Sequence, residues 1–345
     1  MSATTHHPEA TAALDVVASA RRRSARRSLA VVVALLAGFS VYAIDDGGLQ
    51  LYLQRVIDGT TNGVLYGAVA ISLVLVFKAT KVINFSQGAM ATMGAFFAFR
   101  CFDTWGLPAW GAVLAAMVVS AIAAALLERT LIRPFDPDNH LAIVIVTLGL
   151  YISLNALTAF IWGFDARGFP SLFPHNVDDY VSIGGARLYY DQIGTATLVV
   201  ITVLAINLLL ARTKLGLAMR CVANNVEMSR LLGINVGRSI MVSWALAAAT
   251  GTLAACLVAP TTYLEPGYMD KVLIFSFAAA TLGGLDSIGG SLLGGIVVGL
   301  TISLVTGYIP ALGSEFSLGC AFLIIIGVLQ FKPAGLFGHR SLERV

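Results

Sequence analysis

The sequence predicts an all-α integral membrane protein with about ten transmembrane helices, and three observations carry that prediction. Of 345 residues, 57% are apolar and only 12% charged, whereas a soluble domain carries about a quarter charged residues. The mean hydropathy is +0.83. Apolar stretches close to the ~20 residues that a helix needs to cross a hydrocarbon layer recur along the chain. Helix is the form they must take, because lipid leaves the edge of an open sheet without hydrogen-bond partners.

Residues 1–27 are polar and end in a run of Arg, which predicts a disordered cytoplasmic tail. Residues 28–45 contain the first apolar run, 29–44. It reads as an extra N-terminal transmembrane helix, although the Arg-rich flank and the triplet Val41-Tyr42-Ala43 also suit a cleavable signal-like segment. Further spans are predicted at 58–77, 84–99, 109–127, 141–162, 192–211, 237–259, 270–283, 288–307 and 316–331. The spans at 29–44, 84–99 and 270–283 carry the weakest signal, being short or interrupted by Gly. Two connections are long. Residues 163–191 hold Pro170, Pro174 and several Asp, and do not look helical. Residues 212–236 read as a short amphipathic helix: Val222, Val226, Leu231 and Leu232 fall near helical spacing, with Asn224, Asn225, Glu227 and Arg230 on the other side. Gly233 supplies the stop.

Basic residues set the orientation, because Lys and Arg accumulate in cytoplasmic loops. With the N-terminus inside, 17 of the 22 basic residues fall on the cytoplasmic side, leaving Arg55, Arg100, Arg167, Arg187 and Lys271 outside. Both termini and the 212–236 loop are therefore expected in the cytoplasm. Small residues repeat every four positions at Gly290 and Gly294, at Gly295 and Gly299, and at Ala112, Ala116, Ser120 and Ala124, which predicts faces on which helices approach closely.

Several function classes have no support. Cys101, Cys221, Cys256 and Cys320 lack metal-ligand or disulfide-framework spacing, the five His form no ligand pair, and no GxxxxGK[ST] occurs. The chain is expected to act without catalytic residues, metal or cofactor of its own. A net charge of +3 leaves no nucleic-acid footprint. The spans are almost free of charge away from their ends, whereas proton- or sodium-driven carriers place ionisable relays there. Energy is therefore expected from a partner. The alternative is a self-sufficient secondary carrier or a facilitative channel for a small solute.

Two stretches echo one another. Lys78 to Lys81 leads into Asn84-Phe85-Ser86-Gln87-Gly88 with Gly94, and Leu282 leads into Asp286-Ser287-Ile288-Gly289-Gly290 with Gly294. Paired polar breaks before Gly-rich helices point to a transport pathway, since broken helix ends offer free backbone groups to a polar solute. Asn84, Ser86, Gln87, Gly88, Asp286 and Ser287 are the candidate pathway residues. Asn155, within a span, is expected to make an interhelical hydrogen bond.

Gly216-Leu217-Ala218-Met219-Arg220, then Ala223-Asn224, then Leu231-Leu232-Gly233-Ile234-Asn235-Val236 resemble the cytoplasmic coupling loop of the LivH-type permeases of branched-chain amino acid ABC importers. Ile83-Asn84-Phe85 with Gly88, Glu128-Arg129 with Arg133-Pro134, Leu282-Gly283-Gly284 with Ser287 and Gly289, and Lys332-Pro333-Ala334-Gly335-Leu336-Phe337-Gly338 follow in that family's order. The likeness runs from about residue 50 to 338. The chain departs from the family's usual small residue and His at Ser86 and Gln87, and from its usual Gly at Asp286.

The resemblance implies a permease domain over 50–338 with a coupling loop at 212–236. In that loop Gly216, Arg220, Ala223, Asn224, Glu227, Leu231, Leu232 and Gly233 would meet an ATPase. It further implies a bacterial inner (plasma) membrane location, a second related permease subunit of LivM type, two cytosolic ATP-binding subunits that hold ATP-Mg, and a periplasmic solute-binding protein. The solute would be a branched-chain amino acid, another amino acid, urea or an amide.

Overall fold

The computed structural model describes residues 48–135, 139–174, 176, 178–309, 316–332 and 335–337. The tail at 1–27 and the segment at 28–45 lie outside the described residues.

The chain runs through α1 (Gly48–Thr80), α2 (Gln87–Asp103), α3 (Ala109–Leu127), α4 (His140–Trp162), a hairpin of β1 (Tyr180–Ile183) and β2 (Ala186–Tyr189), α5 (Tyr190–Arg212), α6 (Lys214–Asn224), α7 (Val226–Leu231), α8 (Val236–Thr262), α9 (Met269–Gly283), α10 (Ile288–Tyr308) and α11 (Phe316–Phe331). After α3 the chain winds through a π-helical turn at Glu128–Ile132. Among the described residues, six helices (α1, α3, α4, α5, α8 and α10) are long and apolar enough to cross a membrane, and α11 is a shorter apolar helix.

Burial sorts these helices into a centre and a rim. In α1 and α8, 78% and 67% of the most apolar window is buried, against 22%, 28% and 22% in α3, α4 and α5. The rim helices keep apolar faces open, such as Leu114, Val118 and Ile122 on α3 or Ile201, Leu204 and Leu208 on α5. Outward apolar faces of this kind are stable only against lipid or another apolar surface.

Two predicted spans take a different form. The 84–99 and 270–283 segments are helical, as α2 and α9, but with 17 and 15 residues they reach only about 25 Å and 22 Å at 1.5 Å per residue. Both are enclosed, with Ala89, Ala91, Thr92, Ala95 and Phe96 of α2 at 0% exposure. α2 packs against α3, α4, α8 and α9. A helix that touches protein all round needs neither the length nor the uniform apolarity of a lipid-facing one. α1 corrects another boundary, starting ten residues before the predicted 58, so Arg55 belongs to a helix rather than to an external loop.

The expected small-residue faces sit at close contacts. A Cβ added to Gly63 would lie 2.6 Å from the Gly295 carbonyl oxygen, so the α1 and α10 backbones meet there with no room for a side chain. Gly294 lies as closely against Ala279 and Gly283 of α9, and Ala112, Ala116 and Ala124 of α3 are fully buried. The last described residues close α9: the Leu336 N–H donates to the Leu282 carbonyl at 2.8 Å and the Phe337 N–H to that of Gly283 at 3.1 Å. These bonds satisfy carbonyls that a helix end leaves unpaired.

The 163–191 connection contains the hairpin, paired from Tyr180 with Tyr189 to Ile183 with Ala186 and turning at Gly184-Gly185. Gln50 and Gln54 of α1 hold it down, through Nε2 donation to the Gly185 carbonyl at 3.0 Å and through acceptance from the Arg187 N–H at 2.8 Å.

Candidate functional site

The segment read as one amphipathic helix is two. Asn225 ends α6 in an extended conformation (φ −159°), and its side chain accepts from the Met228 N–H at 2.8 Å, capping α7. Asn competes with the helix for backbone donors in this way, which makes it a good N-cap and a poor interior residue. The break separates two surfaces that helical spacing had joined. Gly216, Met219 and Val222 of α6 are buried, with Gly216 against the Leu210 backbone. Met228, Leu231 and Leu232 are 54%, 81% and 72% exposed. Leu231 and Leu232 therefore do not share a buried face with Val222, as the helical spacing suggested.

Gly233 ends α7 with φ +76°. Its N–H donates to the Arg230 carbonyl at 3.0 Å and that of Ile234 to Ser229 at 2.9 Å, the paired bonds of a Schellman turn. Arg220, Asn224 and Glu227 are exposed and Ala223 is half-buried.

Beside this pair of helices lies a cavity of about 1150 Å³, whose lining includes Lys81, Glu128, Arg133, Asn224, Glu227 and Arg230. It brings residues of the coupling loop, Asn224, Glu227 and Arg230, together with Lys81, Glu128 and Arg133 from distant parts of the sequence. Its wall is pinned by Arg133, whose Nη2 donates to Glu128 Oε2 and to the Gly237 carbonyl, both at 2.9 Å. Glu128 is 1% exposed, so the guanidinium is the partner that lets a carboxylate stay there.

The candidate pathway residues come together in another sense. Asn84 Oδ1 accepts from Ser86 Oγ at 2.6 Å, Asn84 Nδ2 donates to Gln87 Oε1 at 3.3 Å, and Gln87 Nε2 donates to the Ala247 carbonyl at 2.9 Å. All three side chains are at most 1% exposed. They satisfy one another and join the start of α2 to the middle of α8, and Gly88 packs on Leu273. Asp286 pairs with Lys81, and Ser287 accepts from the Gly290 N–H at 3.0 Å as the N-cap of α10. The two echoed segments are thus neighbours, joined by an ion pair. Asn155 lies beside Tyr151, whose hydroxyl donates to Asp270 of α9 at 2.8 Å.

A second cavity, of about 490 Å³, opens between α1, α5, α8 and α10, with Arg55, Asp58, Asn62, Asp191, Thr261 and Ser303 in its lining. Along α8, the first cavity reaches Ile240 and the second begins at Cys256, about 24 Å apart at 1.5 Å per residue. Sequence reasoning missed this cavity. The available signal was the polar stripe Arg55, Asp58, Asn62 and Tyr66, at steps of three and four on one helical face.

Comparison with known proteins agrees with this architecture. A family described as the permease component of branched-chain amino acid transport systems matches residues 55–329. The chain is 29% identical over 304 residues to the high-affinity branched-chain amino acid transport system permease protein BraD of Pseudomonas aeruginosa, covering 85% of this chain and 98% of the relative. It is 28% identical over 309 residues to the permease protein LivH of Escherichia coli K12, with the same two coverages. With a match across most of its length and a multi-pass helical bundle that suits it, this chain belongs to the family of branched-chain amino acid transport permease components.

Proposed function

We propose that the chain is one translocation subunit of an ATP-binding-cassette importer for branched-chain amino acids or a closely related small solute. It sits in the inner (plasma) membrane with both termini in the cytoplasm. The observation that carries this reading is the α6–α7 pair, a capped and rigidly terminated knob that presents Met228, Leu231 and Leu232 to the surrounding medium. Three apolar side chains at the tip of a cytoplasmic loop suit a groove on a partner. A cytosolic ATPase docked there would push on α6, which packs against α8, and α8 runs through the bundle centre to the second cavity. A second permease of LivM type, a second ATPase subunit and a periplasmic solute-binding protein complete the assembly. ATP-Mg belongs to the ATPase subunits.

The test is co-purification of the membrane assembly with its ATPase subunits. Leu231→Glu together with Leu232→Glu should abolish association and ATP-driven uptake while the permease still inserts. Retained association and uptake in that variant would defeat the docking assignment.

A further inference from the structure

We infer that the second cavity is an acceptance site for a zwitterionic aliphatic amino acid, its charged head at the mouth and its hydrocarbon on the floor. The inference rests on the permease reading above and adds a location and a recognition chemistry to it.

Three wall helices change character in step as they enter the cavity. α1 presents Arg55, Asp58 and Asn62 and then Leu65; α8 presents Thr261 and then Leu257; α10 presents Thr306 and Ser303 and then Ile302. The mouth is polar on several sides and the floor is apolar, which is the arrangement of a site that orients an amphiphilic ligand.

The polar groups are of both signs. Arg55 makes no ion pair among the described residues, and its Nε is buried without a hydrogen-bond partner. Arg55 is half-buried and lines the cavity, and a carboxylate is the ligand that suits a guanidinium best. One helical turn on, Asp58 accepts a hydrogen bond from Gln54 Nε2 at 3.0 Å and keeps acceptor capacity for an ammonium group. Asp191 of α5 adds a second carboxylate on another wall. Opposite charges with hydroxyls around them match an α-amino acid head group. Urea or a neutral amide would have no use for either charge.

The floor marks where the ligand stops. Beyond Leu257 the seam between α1, α5 and α8 holds a void of only about 10 Å³, too small to admit a solute. A ligand entering from the end opposite α6 and α7 is therefore held at this level, with its side chain against Leu65, Leu257 and Ile302.

The experiment is equilibrium binding of tritiated leucine to the full chain in lipid nanodiscs, run beside ATP-driven leucine uptake by the complete importer in proteoliposomes. Wild type should bind leucine, and leucinamide and isocaproate, which lack one charge each, should compete at least about tenfold less well. Arg55→Gln should weaken leucine binding about tenfold or more. Leu257→Phe should shift the leucine-to-alanine preference about tenfold toward alanine by filling the floor, a change of ratio that a misfolded chain would not give. Equal competition by leucinamide, or wild-type binding in both variants, overturns the site. Uptake by the importer with no binding to the chain overturns the site alone, whereas absence of ATP-driven uptake overturns the permease reading itself.

Discussion

Lys81 holds Asp286 across 205 positions of sequence, Nζ to Oδ1 at 2.9 Å, from a left-handed backbone conformation at φ +56°. Few residues other than Gly adopt that conformation without a compensating contact. Here the ammonium also lies 5.5 Å from the Phe77 ring centroid. The pair ties the turn before α2 to the turn before α10. Its side chains are 42% and 28% exposed, so water screens it, and such a pair is worth no more than about 1 kcal/mol. Asp286→Asn should lower thermal stability by that amount or less in a detergent melt, with the difference shrinking in high salt. A loss of several kcal/mol would mean the pair is shielded far more than its exposure shows.

Gln87 carries more weight, because its partners are buried. Gln87→Leu leaves the Asn84 amide without its acceptor at Gln87 and should cost about 1–3 kcal/mol. Gln87→Glu removes the donor to Ala247 and places a charge in a dry site, so it should be worse than Gln87→Leu in the same melting series. The reverse order would mean that water reaches the site.

Gly63 tests the α1–α10 seam. Gly63→Val puts branched carbon where a single Cβ already falls 2.6 Å from the Gly295 carbonyl. Overpacking of this kind costs about 1–3 kcal/mol when neighbours yield, and two helix backbones yield poorly. Expression and the monodisperse fraction in size-exclusion chromatography should both fall, and Gly63→Ala should show the same trend to a smaller degree.

Arg133 is the removable partner of a buried carboxylate. Arg133→Met should destabilise by about 1–3 kcal/mol, since it strands Glu128 without its counter-ion. Combining it with Glu128→Leu should restore much of that loss. A double variant no better than the single would show that the pair does not act as a unit, which a double-mutant cycle reads directly.

At Gly233 the surroundings are empty, with no atom within 4 Å of a built Cβ, so the penalty of substitution is in the backbone alone. Left-handed φ costs an L-residue about 1–2 kcal/mol, and a β-branched side chain is the hardest to place there. Gly233→Val should loosen the end of α7 and reduce the number of solutes moved per ATP in the reconstituted importer. Gly233→Ala should do so less, and unchanged stoichiometry in both would remove the coupling role from this turn.

The helical course of the bundle was readable wherever apolar length decided it. The segments around 109–127, 141–162 and 192–211 became α3, α4 and α5 within a few residues, because lipid-facing helices must be long and apolar on their outer faces. Enclosed helices obey no such rule, and the spans that became α2 and α9 gave a weaker apolar signal, being short or interrupted by Gly. Arg55 was misplaced for a related reason: a charge just before an apolar run reads as loop, while a polar cavity inside the bundle allows the helix to start earlier. The α6–α7 break was written in Asn224-Asn225, but the side-chain capping that uses Asn225 depends on backbone geometry that spacing alone does not show. The Asn84 to Gln87 cluster illustrates the opposite limit. Polar residues at membrane depth can line a path or bond to one another, and spacing does not show the bonds that Asn84 makes to Ser86 and Gln87.

The enclosure of α2 has a consequence for how the protein is made. Its polar positions, Gln87 and Thr92 among them, are covered in part by α8, which is synthesised more than a hundred residues later. Until α8 leaves the ribosome, α2 has an incomplete sheath and too little apolar surface to be at ease in lipid. Its arrival in the bilayer must therefore wait for, or be chaperoned past, that delay. Nascent chains halted short of residue 236 should expose α2 to aqueous labelling, and release of the remaining chain should hide it.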